Sequence, residues 1–98
     1  MFDIDSISKR YFKIKINNIE IDVEPPKLKV LKKITSLAKA KNEDAIEDLV
    51  EAVKIMLNKN KSGYQVQDEL IDELDFDQLL EILTAYFKWI GEVRNSPN

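Results

Sequence analysis

The densest set of side chains able to do chemistry is the acidic run Asp68, Glu69, Asp72, Glu73, Asp75 and Asp77, and carboxylates this close invite a calcium site. The spacing argues against one. A helix–loop–helix calcium loop needs oxygens at alternate positions, a glycine at the sixth and a bidentate acid at the twelfth. Here Leu70, Ile71 and Leu74 intervene at helical spacing and the run holds no glycine, so a solvated helix face ending in a cap is the reading these residues support. Paired carboxylates can also move protons, but only where an apolar pocket shifts a pKa, and these are expected on a charged surface. Histidine and cysteine are both absent from the 98 residues. Their absence removes imidazole bases, thiolate nucleophiles, disulfides and any ordinary zinc site. The only glycines, Gly63 and Gly91, build no phosphate-binding loop, and serines and lysines occur without a recognisable dyad. A protein that is not an enzyme and uses no cofactor or metal is expected.

The elements that position these residues follow from composition and period. Hydrophobic residues are 44% and charged residues 34%, a balance that fits one folded domain over 1–98 rather than a disordered chain or a membrane span. Two glycines and three prolines leave few breaks, so long regular elements with short joints are expected. No segment reaches the roughly 18 consecutive apolar residues of a membrane helix. Met1-Phe2-Asp3-Ile4-Asp5 carries acids where a signal peptide needs bases, and a reducing cytosol is the expected location. Net charge −3 hides an asymmetry, +5 over residues 1–42 and −8 over 43–98. Two halves that attract each other explain that split better than nucleic-acid binding, because the acidic half would be repelled from phosphate.

Residues 1–9 read as an N-terminal tail and 10–24 as a β-hairpin. Tyr11-Phe12-Lys13-Ile14-Lys15-Ile16 and Ile19-Glu20-Ile21-Asp22-Val23-Glu24 alternate with period two around Asn17-Asn18, and asparagine tolerates the positive φ of a type I′ turn. The turn fixes the register. Ile16 faces Ile19, Ile14 faces Ile21 and Phe12 faces Val23 on one side, while Lys15 faces Glu20 and Lys13 faces Asp22 on the other. A slip by one residue would bury the charges.

Residues 26–93 read as helical, and 94–98 as a free end after the stop Asn95-Ser96-Pro97. Pro25-Pro26 ends the second strand and opens a basic amphipathic helix from about Lys27 to Lys39, with Leu28, Leu31, Ile34, Leu37 and Ala38 on one face. A membrane-surface or calmodulin-target role fits such a helix less well than a core helix with a solvated face. Asn42 is the expected N-cap of a second helix whose stripe is Ala45, Ile46, Leu49, Val50, Val53, Met56 and Leu57. Ile55 points away from that stripe. Residues 58–63 form a polar loop, Val66 to Leu74 a short helix, and Asp75 starts the last helix with Gln78 completing a capping box and Leu74 and Leu79 in staple positions. That helix, Phe76 to about Val93, carries Phe76, Leu79, Leu80, Leu83, Tyr86, Phe87 and Ile90, with Ile82, Trp89 and Val93 on one flank. Its apolar arc spans about 180°, against the roughly 100° a core-facing helix needs. Either two other elements of the chain cover the surplus, or part of it faces another protein.

The order of features, with Glu24-Pro25-Pro26-Lys27-Leu28-Lys29 after the hairpin, and above all the segment Leu74-Asp75-Phe76-Asp77-Gln78-Leu79-Leu80-Glu81-Ile82-Leu83-Thr84-Ala85-Tyr86-Phe87-Lys88-Trp89-Ile90, resembles tail assembly chaperones from long-tailed bacteriophages and prophages of Gram-positive bacteria. The likeness covers most of the chain. It implies a small protein of the host cytoplasm, absent from the finished virion, that keeps the tape-measure protein soluble and helps recruit tail-tube subunits around it. Many such families also make a longer, frameshifted form, and a chain ending at Asn98 suits the short one. The family offers no motif whose binding residues carry over.

The expected architecture is therefore α+β, an N-terminal two-stranded β-hairpin packed on three to four α-helices. The expected role is a non-enzymatic chaperone. From the apolar surplus, Ile82, Tyr86, Trp89 and Val93, with Ile55, are the candidate residues for covering apolar segments of the tape-measure protein or pairing with another copy of the chain. A small structural virion component is the first alternative, and a nucleic-acid-binding regulator using Lys27, Lys29, Lys32 and Lys33 the second. Duplex DNA at low salt is expected to show no mobility shift with this protein; a salt-sensitive shift would transfer the reading to those lysines.

Overall fold

A computed structural model describes residues 1–6, 9–39 and 45–92. After a single 3-10 turn at Ile4–Ser6, the elements are strands β1 (Phe12–Ile16) and β2 (Ile19–Val23), then helices α1 (Leu28–Ala38), α2 (Ala45–Asn58), α3 (Asp68–Asp72) and α4 (Phe76–Gly91). This is the expected α+β fold, a two-stranded antiparallel hairpin followed by four helices.

The hairpin has the expected register, from Ile16 opposite Ile19 to Phe12 opposite Val23. Asn17 and Asn18 take φ of 52° and 66°, both in the left-handed region that a type I′ turn demands. Ile16, Ile21 and Val23 are buried on the apolar side. Lys13 meets Asp22 at 3.5 Å on the other. An exposed pair of this kind is worth about 0.2–1 kcal/mol, whereas burying one Ile or Val is worth about 1.5–3 kcal/mol, so the apolar side holds the hairpin in place.

The polar segment after α2, read from the sequence as a plain loop, docks on the open edge of β2. Glu24 N–H donates to the Lys59 carbonyl at 2.8 Å, Lys61 N–H donates to the Asp22 carbonyl at 2.9 Å, and Val23 pairs with Asn60 in an antiparallel bridge. The Glu24 carboxylate adds Lys59 at 3.3 Å and Lys9 at 3.6 Å. Asn60 is the buried polar residue that shapes this loop. Its Nδ2 donates to the carbonyls of Leu57 and Tyr64, each at 2.8 Å. Its Oδ1 accepts from Tyr64 N–H at 2.8 Å and from the Ser62 hydroxyl at 3.3 Å. Both donors and both acceptor positions of the amide are thereby used. Gly63, at φ 73°, supplies the left-handed step that closes the turn.

The helices follow the expected boundaries with small, explicable differences. Lys27 is the extended N-cap of α1, so Pro25 and Pro26 end the strand without entering the helix. Asn42, the expected cap of α2, lies outside the described residues. α3 is shorter than the expected Val66 to Leu74, because Val66 N–H is taken by the Asn58 side chain at 2.7 Å and the chain there stays extended. α4 opens with the full capping box. Asp75 Oδ1 accepts from Gln78 N–H at 2.8 Å and Gln78 Oε1 accepts from Asp75 N–H at 2.9 Å. Helix α2 lies at the centre, in contact with α1, α3, α4 and β2. The fully buried side chains Val23, Ile34, Met56, Leu57, Val53 and Tyr86 come from four of these elements and form one core.

Substituting Asn60 by Ala strands the Tyr64 N–H and removes the partner of two carbonyls. A loss of roughly 2–4 kcal/mol in unfolding free energy is expected, read as a lower urea midpoint at unchanged slope.

Candidate functional site

The broad apolar arc of α4 is covered from within the chain. Leu79, Ile82, Leu83 and Tyr86 are buried, and Tyr86 is fully enclosed. Phe12 of β1 lies over the far flank, its ring 5.9 Å from Tyr86 in an edge-to-face arrangement and 5.7 Å from Trp89. Tyr86 also meets Phe87 at 5.6 Å and Trp89 at 5.9 Å. Of the five residues expected to receive a partner, Ile82 and Tyr86 are therefore core residues, and Trp89 and Ile55 are half-buried and packed against the same core. Val93 lies outside the described residues. The correction has a physical cause: the hairpin has its own apolar side to bury, and it does so on the flank of α4 that sequence periodicity leaves unassigned.

A cation that periodicity does not flag fastens this closure. Arg10 donates from Nη1 to the Trp89 carbonyl at 2.7 Å and from Nη2 to the Ile90 carbonyl at 3.2 Å, with its guanidinium 4.7 Å from the centre of the Trp89 ring. Positive charge there meets the negative end of α4, where the Trp89 carbonyl also accepts from Glu92 N–H at 3.2 Å. No local pattern identifies Arg10, since the carbonyls it caps are about eighty residues away in sequence. Burial also leaves the Tyr86 hydroxyl without a hydrogen-bond partner among the described residues and pushes its pKa up from 10.0 to about 12.

The carboxylates of residues 68–77 are spread over separate duties. Asp75 caps α4. Glu73 accepts from the Asn17 amide at 3.0 Å and ties the hairpin turn to the end of α3. Asp68 meets Lys54 at 2.9 Å; that hydrogen bond, then the charge of Asp68 and more weakly those of Glu51 and Asp72, holds the ammonium above its ordinary range against a small opposing desolvation. Among the described residues no group of three or more acids converges as a metal site would require, and no helix is long and apolar enough to cross a membrane.

Apolar surface left open lies elsewhere than expected. Leu28, Ile46 and Phe76 fit their helical stripes by spacing, yet they are 73%, 61% and 50% exposed, and Leu80 is 38% exposed. The first three occupy the opening turns of α1, α2 and α4. Helical Cα–Cβ bonds tilt toward the N-terminus, so side chains in an opening turn overhang the end of the element they pack on. Two of them meet. Ile46 and Phe76 stand on either side of a cleft of about 230 Å³, with Val50, Ile71 and Leu79 as further apolar lining and Asp72 and Asp75 among its walls. A second, more polar groove of about 280 Å³ runs beside the hairpin turn between Asn17, Glu73, Gln78 and Glu81.

Compared with protein-family models, with curated proteins and with solved structures, the chain matches none.

The Tyr86 hydroxyl offers a clean test of the closure. Its folded pKa lies above the unfolded value, so its contribution to stability is intact below about pH 10 and is lost as pH rises through about 12. Below pH 10, Tyr86→Phe is expected to be more stable by about 1 kcal/mol, because it removes a buried unpaired hydroxyl. Between pH 10 and 12 the wild-type urea midpoint is expected to fall more steeply than that of the variant.

Proposed function

We propose that this protein is a non-enzymatic binding module, a tail assembly chaperone that covers apolar segments of a tape-measure protein and helps bring tail-tube subunits to it in the host cytoplasm. One observation carries the binding role: an exposed apolar cleft, framed by Ile46 and Phe76, beside a core in which Leu79, Ile82, Leu83 and Tyr86 of α4 are already buried. Two exposed apolar side chains that share one cleft, rather than standing singly, support a contact with another protein. The phage assignment rests on the sequence resemblance over α4 and the hairpin. The acids are engaged in capping and ion pairs, which suits a scaffold better than a catalyst.

Co-expression tests this reading. The tape-measure protein encoded beside this chain is expected to remain soluble and to co-purify with it, and Ile46→Ser combined with Phe76→Ser is expected to reduce that recovery while leaving the fold intact. A tape-measure protein that neither becomes soluble nor co-purifies overturns the chaperone assignment. Detection of the chain in purified virions by mass spectrometry would favour a structural component instead.

A further inference from the structure

The cleft between α2 and α4 has more definition than an apolar patch. Ile46 and Val50 stand one turn apart on α2, and Phe76 and Leu79 stand one turn apart on α4. Ile71, buried, and Leu74, half-buried, add apolar lining between these rows. Two apolar rows at one-turn spacing match side chains at i and i+4 on a third helix, the geometry by which amphipathic helices seat their anchors in a groove. The volume, about 230 Å³, falls below the roughly 300–1,000 Å³ of small-molecule sites and suits a bulky side chain.

Charge narrows the occupant further. Asp72 and Asp75 stand in the wall, no cation lines it among the described residues, the neighbouring Lys54 is paired with Asp68 at 2.9 Å, and exposed Glu47, Glu73 and Asp77 follow or precede wall residues in sequence. Approach of an acidic helix is opposed, and approach of a basic one is favoured. We propose that this cleft docks a cationic amphipathic helix of a partner protein, with apolar anchors at i and i+4 flanked by Lys or Arg. The proposal rests on the binding-module reading above and specifies the partner segment that reading leaves open. A second copy of the chain is the rival occupant, since α1 is basic and exposes Leu28. It fits less well. On α1 the residue at i+4 from Leu28 is Lys32 and the apolar neighbour at i+3, Leu31, is half-buried, so Leu28 is the one exposed anchor that α1 offers.

Two labelled 14-residue peptides serve as probes for the full-length chain, one patterned from Leu and Lys with leucines at i, i+4, i+7 and i+11, the other with Glu in place of Lys. Fluorescence anisotropy is expected to show the Leu/Lys peptide binding at least about tenfold tighter than the Leu/Glu peptide. Ile46→Ser and Phe76→Ser, at exposed positions that spare the core, are each expected to weaken it by about tenfold, with thermal melts confirming the fold. Leu28→Ser on α1 is expected to leave binding unchanged, and Asp72→Lys to shift preference toward the Leu/Glu peptide. Equal binding of both peptides, or binding indifferent to Ile46→Ser and Phe76→Ser, overturns the proposal. So does reversible self-association in sedimentation equilibrium that Ile46→Ser abolishes, because the cleft then belongs to a second copy. If the tape-measure protein co-purifies while the peptide pattern fails, only this inference falls. If the peptide pattern holds while the tape-measure protein is not recovered, only the phage assignment falls.

Discussion

The burial of the hairpin's apolar side against α2 and α4 is the contact on which the rest of the fold depends. A two-stranded hairpin is marginal in water by itself, and an apolar arc covering half of a helix is a liability when left exposed. Each resolves the other. Ile16, Ile21 and Val23 enter the common core, and Phe12 closes over Tyr86 and Trp89. At about 1.5–3 kcal/mol for each large apolar side chain removed from water, this closure outweighs the exposed ion pair on the opposite side of the sheet.

Polar groups then make the arrangement specific. Arg10 places a cation on the carbonyls that end α4 and stacks on Trp89, joining the segment just before the first strand to the last helix. At the other edge Asn60 satisfies its whole amide inside a turn that lends β2 a short third partner. A buried amide with every valence used is tolerated in a core, and it defines the turn because any other loop path leaves it unpaired. The hairpin is thus held along its apolar face, at its open edge and at its N-terminal end by three different kinds of interaction. The Tyr86 hydroxyl is the exception, buried between rings without a partner among the described residues.

This closure also determines what the surface has to offer. With the flank of α4 used internally, the most exposed large apolar side chains of the α-helices stand where opening turns overhang their neighbours, and Ile46 and Phe76 bring two such turns to one cleft. Asp75 caps α4 just before Phe76, so part of the cleft's acidic rim is a by-product of helix capping, and Asp72 at the end of α3 supplies the rest. That coupling gives the cleft both apolar area and a preferred sign of charge.

Local chemistry was readable from the sequence: the Asn17-Asn18 turn and the register it imposes, the Asp75 capping box, the order and approximate ends of the helices, and the Lys13–Asp22 pair on the polar face of the sheet. These follow from φ preferences, side-chain period and contacts three or four residues apart, all of which the chain carries in its own order. Tertiary structure alone decided which part of each apolar stripe is covered. Period identifies the face of a helix without saying where its neighbour ends, so Leu28, Ile46 and Phe76 read as core and stand exposed, while Ile82 and Tyr86 read as available and are buried. The pairing of Arg10 with the end of α4 and the docking of Asn60 on β2 belong to the same class, because the groups involved become neighbours only after the chain has packed, and no spacing along the sequence encodes that distance.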